Sequence, residues 1–431
     1  MKNKSPNIKI PKNFVQYIKS MGPGIVVALT WLGAGDLVDS AVAGANYGYT
    51  LMWAIFIALF IRFIFVSTIA KYQLCNQHNE SIMSGFKRIH PFLPYIIIII
   101  AIFFGHFYCS YMIKGLGKAS YNLTGLFSAF LWSIIWVIFS AILIFKGKYK
   151  RIEFIFYIFL FVLTTSLISV SIMSNPNPNK IISGIFLFDI PKKNGSFTAL
   201  LVIISLIGAI GGSIANLLYP YFIQQKGWNS FKYRKVQIYD LALGSLVLVI
   251  INLAIWTIGA EILYPKGLII SNLDDLANIL TISIGKLGVP IFYMGVLATL
   301  FSSLIGLSIG FGYLVTDALI VIKSKEYNKA KEINVKDSKV YHLVAAWCMF
   351  SPLIWSLPGM PSFITLTIVA NAAAVVFLPL LCGSLWYLTS SKKLIGNKFK
   401  NNILENFVLL LLFSLSIWGS YQAIISIREI I

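Results

Sequence analysis

The sequence predicts an all-α polytopic membrane protein, and three observations carry that prediction. Of its 431 residues, 58% are hydrophobic and only 12% charged. The apolar residues gather into runs of about 20, the length that crosses a bilayer's hydrocarbon core as helix. The basic residues are concentrated in alternate connections between those runs. A soluble domain carries roughly 25% charged residues, so this chain falls outside that class. The formal net charge of +20 then marks cytoplasmic loops, not a nucleic-acid surface.

Eleven runs qualify as spans: 22–46, 50–71, 93–115, 123–145, 152–174, 197–224, 238–263, 288–322, 340–357, 361–389 and 404–427. The eighth is long enough to tilt or to continue into the cytosol as helix. With the N-terminus inside, the tail lysines and the clusters Lys71/Lys87/Arg88, Lys146/Lys148/Lys150/Arg151, Lys226/Lys232/Arg234/Lys235, Lys323 to Lys339 and Lys392/Lys393/Lys398/Lys400 all become cytoplasmic, which is most of the 35 Lys and Arg. An odd span count then puts the C-terminus outside the cell membrane. The basic segment 1–21 lacks a cleavage site after a short apolar run and reads as a cytoplasmic tail. Residues 22–431 form one transmembrane domain. Cys75, Cys109, Cys348 and Cys382 lie in or beside apolar segments without paired spacing, so they read as small core residues.

The strings NPNPNK at 175–180 and KKNGS at 192–196 break the apolar pattern as an outer linker. They divide the first ten spans into repeat one, about 22–174, and repeat two, about 197–389, leaving an extra helix at about 404–427. The first span of each repeat is interrupted by glycine. Span one holds Gly33, Gly35, Asp36 and Asp39; span six holds GAIGGSIANLLYP, Gly208 to Pro220. A glycine costs a helix interior roughly 1 kcal/mol against alanine, and a carboxylate at bilayer depth about 2.5 to 3.5 kcal/mol. Corresponding broken helices in a 5+5 inverted repeat predict a transporter whose site lies between them, where freed carbonyls and a carboxylate suit a cation. Close helix packing at the glycines, with Asp36 capping the second half-helix, is the competing account.

Over nearly its whole length the chain resembles the natural resistance-associated macrophage protein (Nramp) family of divalent-metal transporters. The residues that carry the likeness are GPG at 22–24, AGANYGY at 43–49, AKYQLCNQHNESIMSGFKRIHP at 70–91, span six, and LATLFSSLIGLSIG at 297–310. The resemblance implies a LeuT-like fold with helices 1 and 6 broken. The family's first-span Asp-Pro-Gly-Asn stands here as Gly33-Ala34-Gly35-Asp36, and its sixth-span Met-Pro-His as Ala215-Asn216-Leu217. Loss of the soft Met thioether at Ala215 removes a preference for transition metals. The ligand set implied is all oxygen: the Asp36 carboxylate, carbonyls near Gly33 and Gly212, the Asn371 amide where the family carries Gln, and Ser213 or Asn216, with Asp39 as an outer ligand or a hydrogen-bonding partner of a neighbouring span. Such a site suits partly hydrated Mg²⁺, with Mn²⁺ passing as well, and resembles the family's Nramp-related magnesium transporter branch.

The family's proton-coupling positions are also altered. They offer Gly33 and Leu217, a third span without a carboxylate and a ninth without arginine. His106 is the obvious titrating group left in span three, either a relay or a residue hydrogen-bonded within the bundle. Transport driven by the ion gradient and membrane potential, without proton coupling, is the expectation. Arg62 is expected to meet a backbone carbonyl or to snorkel. Glu261, Asp274 and Asp275 are expected at the outer face, and Asp317 near the cytoplasmic end of span eight.

The expected partners are the metal ion as cargo and the lipid bilayer, with no resident cofactor, no nucleic acid and a monomeric chain. An enzyme would need clustered His, Cys or carboxylates, and the four histidines are scattered. The remaining alternatives are a proton-coupled Mn²⁺/Fe²⁺ transporter, or a LeuT-fold amino-acid and cation symporter, which Asp36 at the break disfavours by repelling a substrate carboxylate.

Overall fold

The structure, a computed structural model, describes residues 35–146, 149–191, 197–211, 213–268, 285–324 and 338–428, with positions 11, 16–17, 22–24, 31, 270, 272–275, 277 and 335 outside those ranges. Among the described residues there is no strand. In chain order the helices are α1 (Leu37–Tyr47), α2 (Met52–Cys75), α3 (Ile82–Ile89), α4 (Leu93–Thr124), α5 (Ala129–Lys146), α6 (Tyr149–Met173), α7 (Pro178–Phe186), α8 (Ala199–Leu206), α9 (Tyr219–Gln225), α10 (Arg234–Ile258), α11 (Gly288–Lys323), α12 (Lys339–Phe350), α13 (Phe363–Ala374), α14 (Leu378–Ser390), α15 (Lys392–Ile395) and α16 (Ile403–Arg428). Among the described residues seven stretches are long and apolar enough to cross a membrane by length and composition, so the chain is a multi-pass membrane protein.

Two boundaries differ from the sequence reading. The apolar run that seemed to open span four at 123 belongs to α4, which continues to Thr124 and stops where Gly125 takes φ 67°. The left-handed conformation, which glycine adopts without steric cost, ends the helix. The linker at 175–180 is not wholly irregular either. Asn177 accepts hydrogen bonds from the Asn179 and Lys180 amides at 3.0 and 3.3 Å, and Pro178 supplies the first turn of α7. The companion string 192–196 lies outside the described residues.

Span six runs as four pieces: α8, a π-helical turn at Ile207–Gly211, a 3₁₀ turn at Ile214–Leu218, and α9. It is also the most enclosed, with 94% of its most apolar window buried, against 33% for α16. The extra helix α16 packs outside, against α14 and the 3₁₀ turn at Val375–Phe377. There Ser420 donates to the Val375 carbonyl at 3.0 Å. Lys71, at the end of α2, ties α16 in by bonds of 2.7 Å to Asn401 and Glu405.

Candidate functional site

α1 starts at Leu37 because Gly35 has φ 126°, a value closed to L side chains, and a Cβ there would lie 2.1 Å from the Asn371 amide nitrogen. Gly208 in span six meets Asn371 from the other side, since a Cβ on it would lie 1.9 Å from the Asn371 carbonyl oxygen. The two glycines let spans one, six and ten converge on one point. Beside Gly35 the free space amounts to only about 10 Å³, on the scale of one water.

Asp36 occupies the N-cap position of α1, yet its carboxylate makes no capping bond. It is wholly buried and faces Arg62 of α2. The guanidinium donates from Nη1 to Oδ2 at 2.6 Å and from Nη2 to Oδ1 at 3.1 Å. The same guanidinium donates from Nη2 to the Ala209 carbonyl at 2.5 Å and from Nε to the Ile210 carbonyl at 2.6 Å. Its carbon lies 4.6 Å from the centre of the Trp31 ring. The expectation that Arg62 meets a backbone carbonyl is met twice over. What the sequence reading missed is that it also neutralises Asp36. The π turn of span six frees its carbonyls from the ordinary helical ladder, and a long cationic side chain with a planar fork reaches them.

Asp39, one turn further along α1, accepts from Ser205 Oγ at 2.7 Å and from Asn371 Nδ2 at 3.0 Å. Of the two roles weighed for it, the structure displays the hydrogen bonding to neighbouring spans. Ser213 accepts from the Ala215 amide at 3.2 Å and lies 3.0 Å from the Tyr108 hydroxyl of α4, so it caps the 3₁₀ turn. Ala215 is buried. Asn216 is fully buried, and among the described residues neither its amide atoms nor Asn371 Oδ1 has a partner; a buried polar atom without a partner costs its desolvation free energy. Gly33 and Gly212 lie outside the described residues. Among those described, no three His, Cys, Asp or Glu side chains gather into a metal-binding group.

His106 is held at both nitrogens. Trp355 Nε1 donates to its Nε2 at 2.7 Å, which leaves the proton on Nδ1, directed at Ser351 Oγ 2.8 Å away. Ser351 in turn donates to the Trp347 carbonyl at 2.7 Å. The chain of bonds is complete with a neutral imidazole. The outer acids also have partners: Glu261 accepts from the Asn177 amide at 3.0 Å, and Asp274 pairs with Lys118 at 3.1 Å and accepts from Tyr293 at 2.7 Å. Asp275 accepts from the Asn272 amide at 3.0 Å. Asp317 accepts from Tyr221 at 3.0 Å. Asp240, unremarked in the sequence, accepts from the Gly22 and Gly24 amides at 2.7 and 2.5 Å and so anchors the start of span one to α10.

An all-helical membrane bundle with interrupted spans meeting at a buried polar centre is the architecture of the LeuT-like fold. A manganese transporter of Eremococcus coleocola superimposes with a TM-score of 0.74 at 18% identity, covering 97% of this chain and 90% of that one. MhsT, in its complex with L-phenylalanine, gives 0.56 at 16% identity, over 94% of this chain and 98% of that one. The sequence profile described as natural resistance-associated macrophage protein-like (Nramp) matches residues 24–426, and the chain belongs to that family. A relative is the divalent metal cation transporter MntH of Caldanaerobacter subterraneus, 20% identical over 311 residues that cover 69% of this chain and 71% of that protein. Another is the metal transporter Nramp6 of Arabidopsis thaliana, 24% identical over 211 residues, 48% and 38% of the two chains.

Proposed function

We propose that this protein is a secondary transporter of divalent metal cations, moving Mg²⁺ and Mn²⁺ by alternating access between spans one and six, without proton coupling. The observation that carries the reading is the buried Asp36 carboxylate set against the carbonyls of Ala209 and Ile210 at the break of span six. An oxygen-only site with no thioether, since Ala215 stands where the family's Met would be, favours hard or borderline dications. Asn216 and Asn371 Oδ1, buried without partners, supply further oxygens. Asp39, Ser213 and the backbone near Gly33 and Gly212 complete the proposed set. The names of the relatives, manganese and divalent metal cation transporters, support the cargo class. The closed hydrogen-bond chain around neutral His106 supports the absence of a proton relay.

The test is flux of Mg²⁺, Mn²⁺ and Ca²⁺ into liposomes with internal pH monitored, for the wild type and Asp36→Ala. Mg²⁺ and Mn²⁺ entry without a pH change, lost in the variant, is expected. Acidification that follows metal entry rejects the uncoupled mechanism. Ala215→Met is expected to shift preference towards transition metals.

A second reading is favoured by one contact. The objection to an amino-acid substrate was repulsion of its carboxylate by Asp36, and Arg62 offsets that charge: an Asp and an Arg side by side are complementary to the ammonium and carboxylate of a zwitterion. Flux of labelled amino acids in the same liposomes separates the two.

A further inference from the structure

We infer that Arg62 is a tethered cation lodged among the oxygens of the transport site, and that an incoming dication must displace it. The inference rests on the divalent-metal reading above and concerns how that site selects its ion. A guanidinium has five N–H donors. Four are accounted for here by oxygens: Nε by the Ile210 carbonyl at 2.6 Å, Nη1 by Asp36 Oδ2 at 2.6 Å, and Nη2 by Asp36 Oδ1 at 3.1 Å and the Ala209 carbonyl at 2.5 Å. One carboxylate and two peptide carbonyls are the donor types that a hard cation takes in place of its water. The side chains of Arg62 and Asp36 are 2% and 0% exposed, so solvent offers the guanidinium no substitute partners where it stands. The positive charge already occupies the place the cargo needs, and the two cannot share those oxygens.

The consequence is selectivity by charge. A monovalent ion that replaces Arg62 exchanges one unit charge for another, and must also dehydrate and leave a buried arginine unpaired, so the exchange is unfavourable. A dication gains twice the attraction to Asp36, and because it keeps part of its water shell on binding it does not bear the full cost of dehydration. Arg62 thus acts on specificity through its occupancy of the site, as a built-in competitor, and its face on Trp31 reports whether it is in place.

The experiment measures equilibrium binding of radiolabelled Mn²⁺ to the purified full chain in nanodiscs, for the wild type and Arg62→Met. With the competitor removed, Arg62→Met is expected to bind Mn²⁺ about 10-fold or more tightly and to lose its discrimination against Na⁺, seen as Na⁺ competing with Mn²⁺. A companion titration on the wild type needs no alteration at Arg62. Mn²⁺ is expected to change tryptophan emission, and Trp31→Phe is expected to abolish that change while still binding the label. Equal or weaker Mn²⁺ binding by a folded Arg62→Met overturns the inference and leaves the metal reading standing. So does Mn²⁺ binding to wild type with no emission change that depends on Trp31. No Mn²⁺ binding by either protein removes the metal reading itself, and this inference with it.

Discussion

Span six and α11 are both long apolar stretches rich in glycine, and they fold differently. The α11 helix runs unbroken from Gly288 to Lys323. Its glycines serve close packing: a Cβ on Gly295 would meet Leu163, one on Gly310 would meet Leu218 and one on Gly312 would meet Tyr341. Span six breaks into four pieces between Ala199 and Gln225. Glycine content does not separate the two. What separates them is the supply of partners for backbone groups released from the helix. In span six Arg62 takes the Ala209 and Ile210 carbonyls, and Ser213 takes the Ala215 amide. Among the described residues, the cation that reaches α11, Lys87, donates to the Val321 carbonyl at 2.6 Å in the last turn, where carbonyls are free of the helical ladder in any case, whereas Arg62 binds carbonyls in the middle of span six. A spanning helix comes apart where other groups replace the hydrogen bonds it gives up, because an unsatisfied peptide group in hydrocarbon costs several kcal/mol.

That contrast can be broken at the partner. Arg62→Met removes the cation that holds the freed carbonyls and leaves Asp36 buried without its counter-charge. The expected loss is about 3 to 5 kcal/mol, read as a fall in the thermal unfolding midpoint of the purified protein. Arg62→Met combined with Asp36→Asn is expected to recover part of it, and a double variant no more stable than the single one contradicts the pairing. The contrast can be sharpened with glycines. In Gly208→Ala the new methyl meets the Asn371 carbonyl, which is backbone and has no rotamer to change, so a loss of about 1 to 3 kcal/mol is expected. Ser213→Ala removes the cap of the 3₁₀ turn and should cost about 1 kcal/mol. In Gly310→Ala the nearest atoms are the tips of Leu218, which can turn aside. The gain in helix propensity, about 1 kcal/mol, is then expected nearly to cancel the crowding, leaving the midpoint almost unmoved. A Gly310→Ala loss as large as that of Gly208→Ala would remove the distinction.

Much of the site could be read from residue types in order. Gly35 and Asp36 inside an apolar run, repeated in kind by the glycines of span six, located the breaks. The departures at Ala215 and Leu217 carry the expectation of altered chemistry that the flux measurements test. The partner of Asp36 was not legible, since Arg62 lies 26 residues away on another helix. A lone arginine in a hydrophobic run has the same sequence signature whether it snorkels to the interface or turns inward. A signal was available in retrospect. Arg62 is flanked by apolar residues on both sides, at Ile61 and Phe63, and an intramembrane ionisable residue is functional by default, with a partner to be sought. The same holds for Asp39, whose bonds to Ser205 and Asn371 join three spans that no local pattern relates.

Composition and patterning by themselves determined the solvent of this protein and roughly where its apolar spans lie. Those properties follow from each segment's own hydrophobicity, charge and backbone preference, which act over a few residues. Only the tertiary structure decided which groups meet inside: that Asp36 faces a guanidinium, that His106 is held between Trp355 and Ser351, and that Asn216 is buried without a partner among the described residues. The physical reason is range. In a low-dielectric interior each polar group is fixed by contacts within about 3 Å, and those contacts come from helices far apart in sequence, brought together by packing.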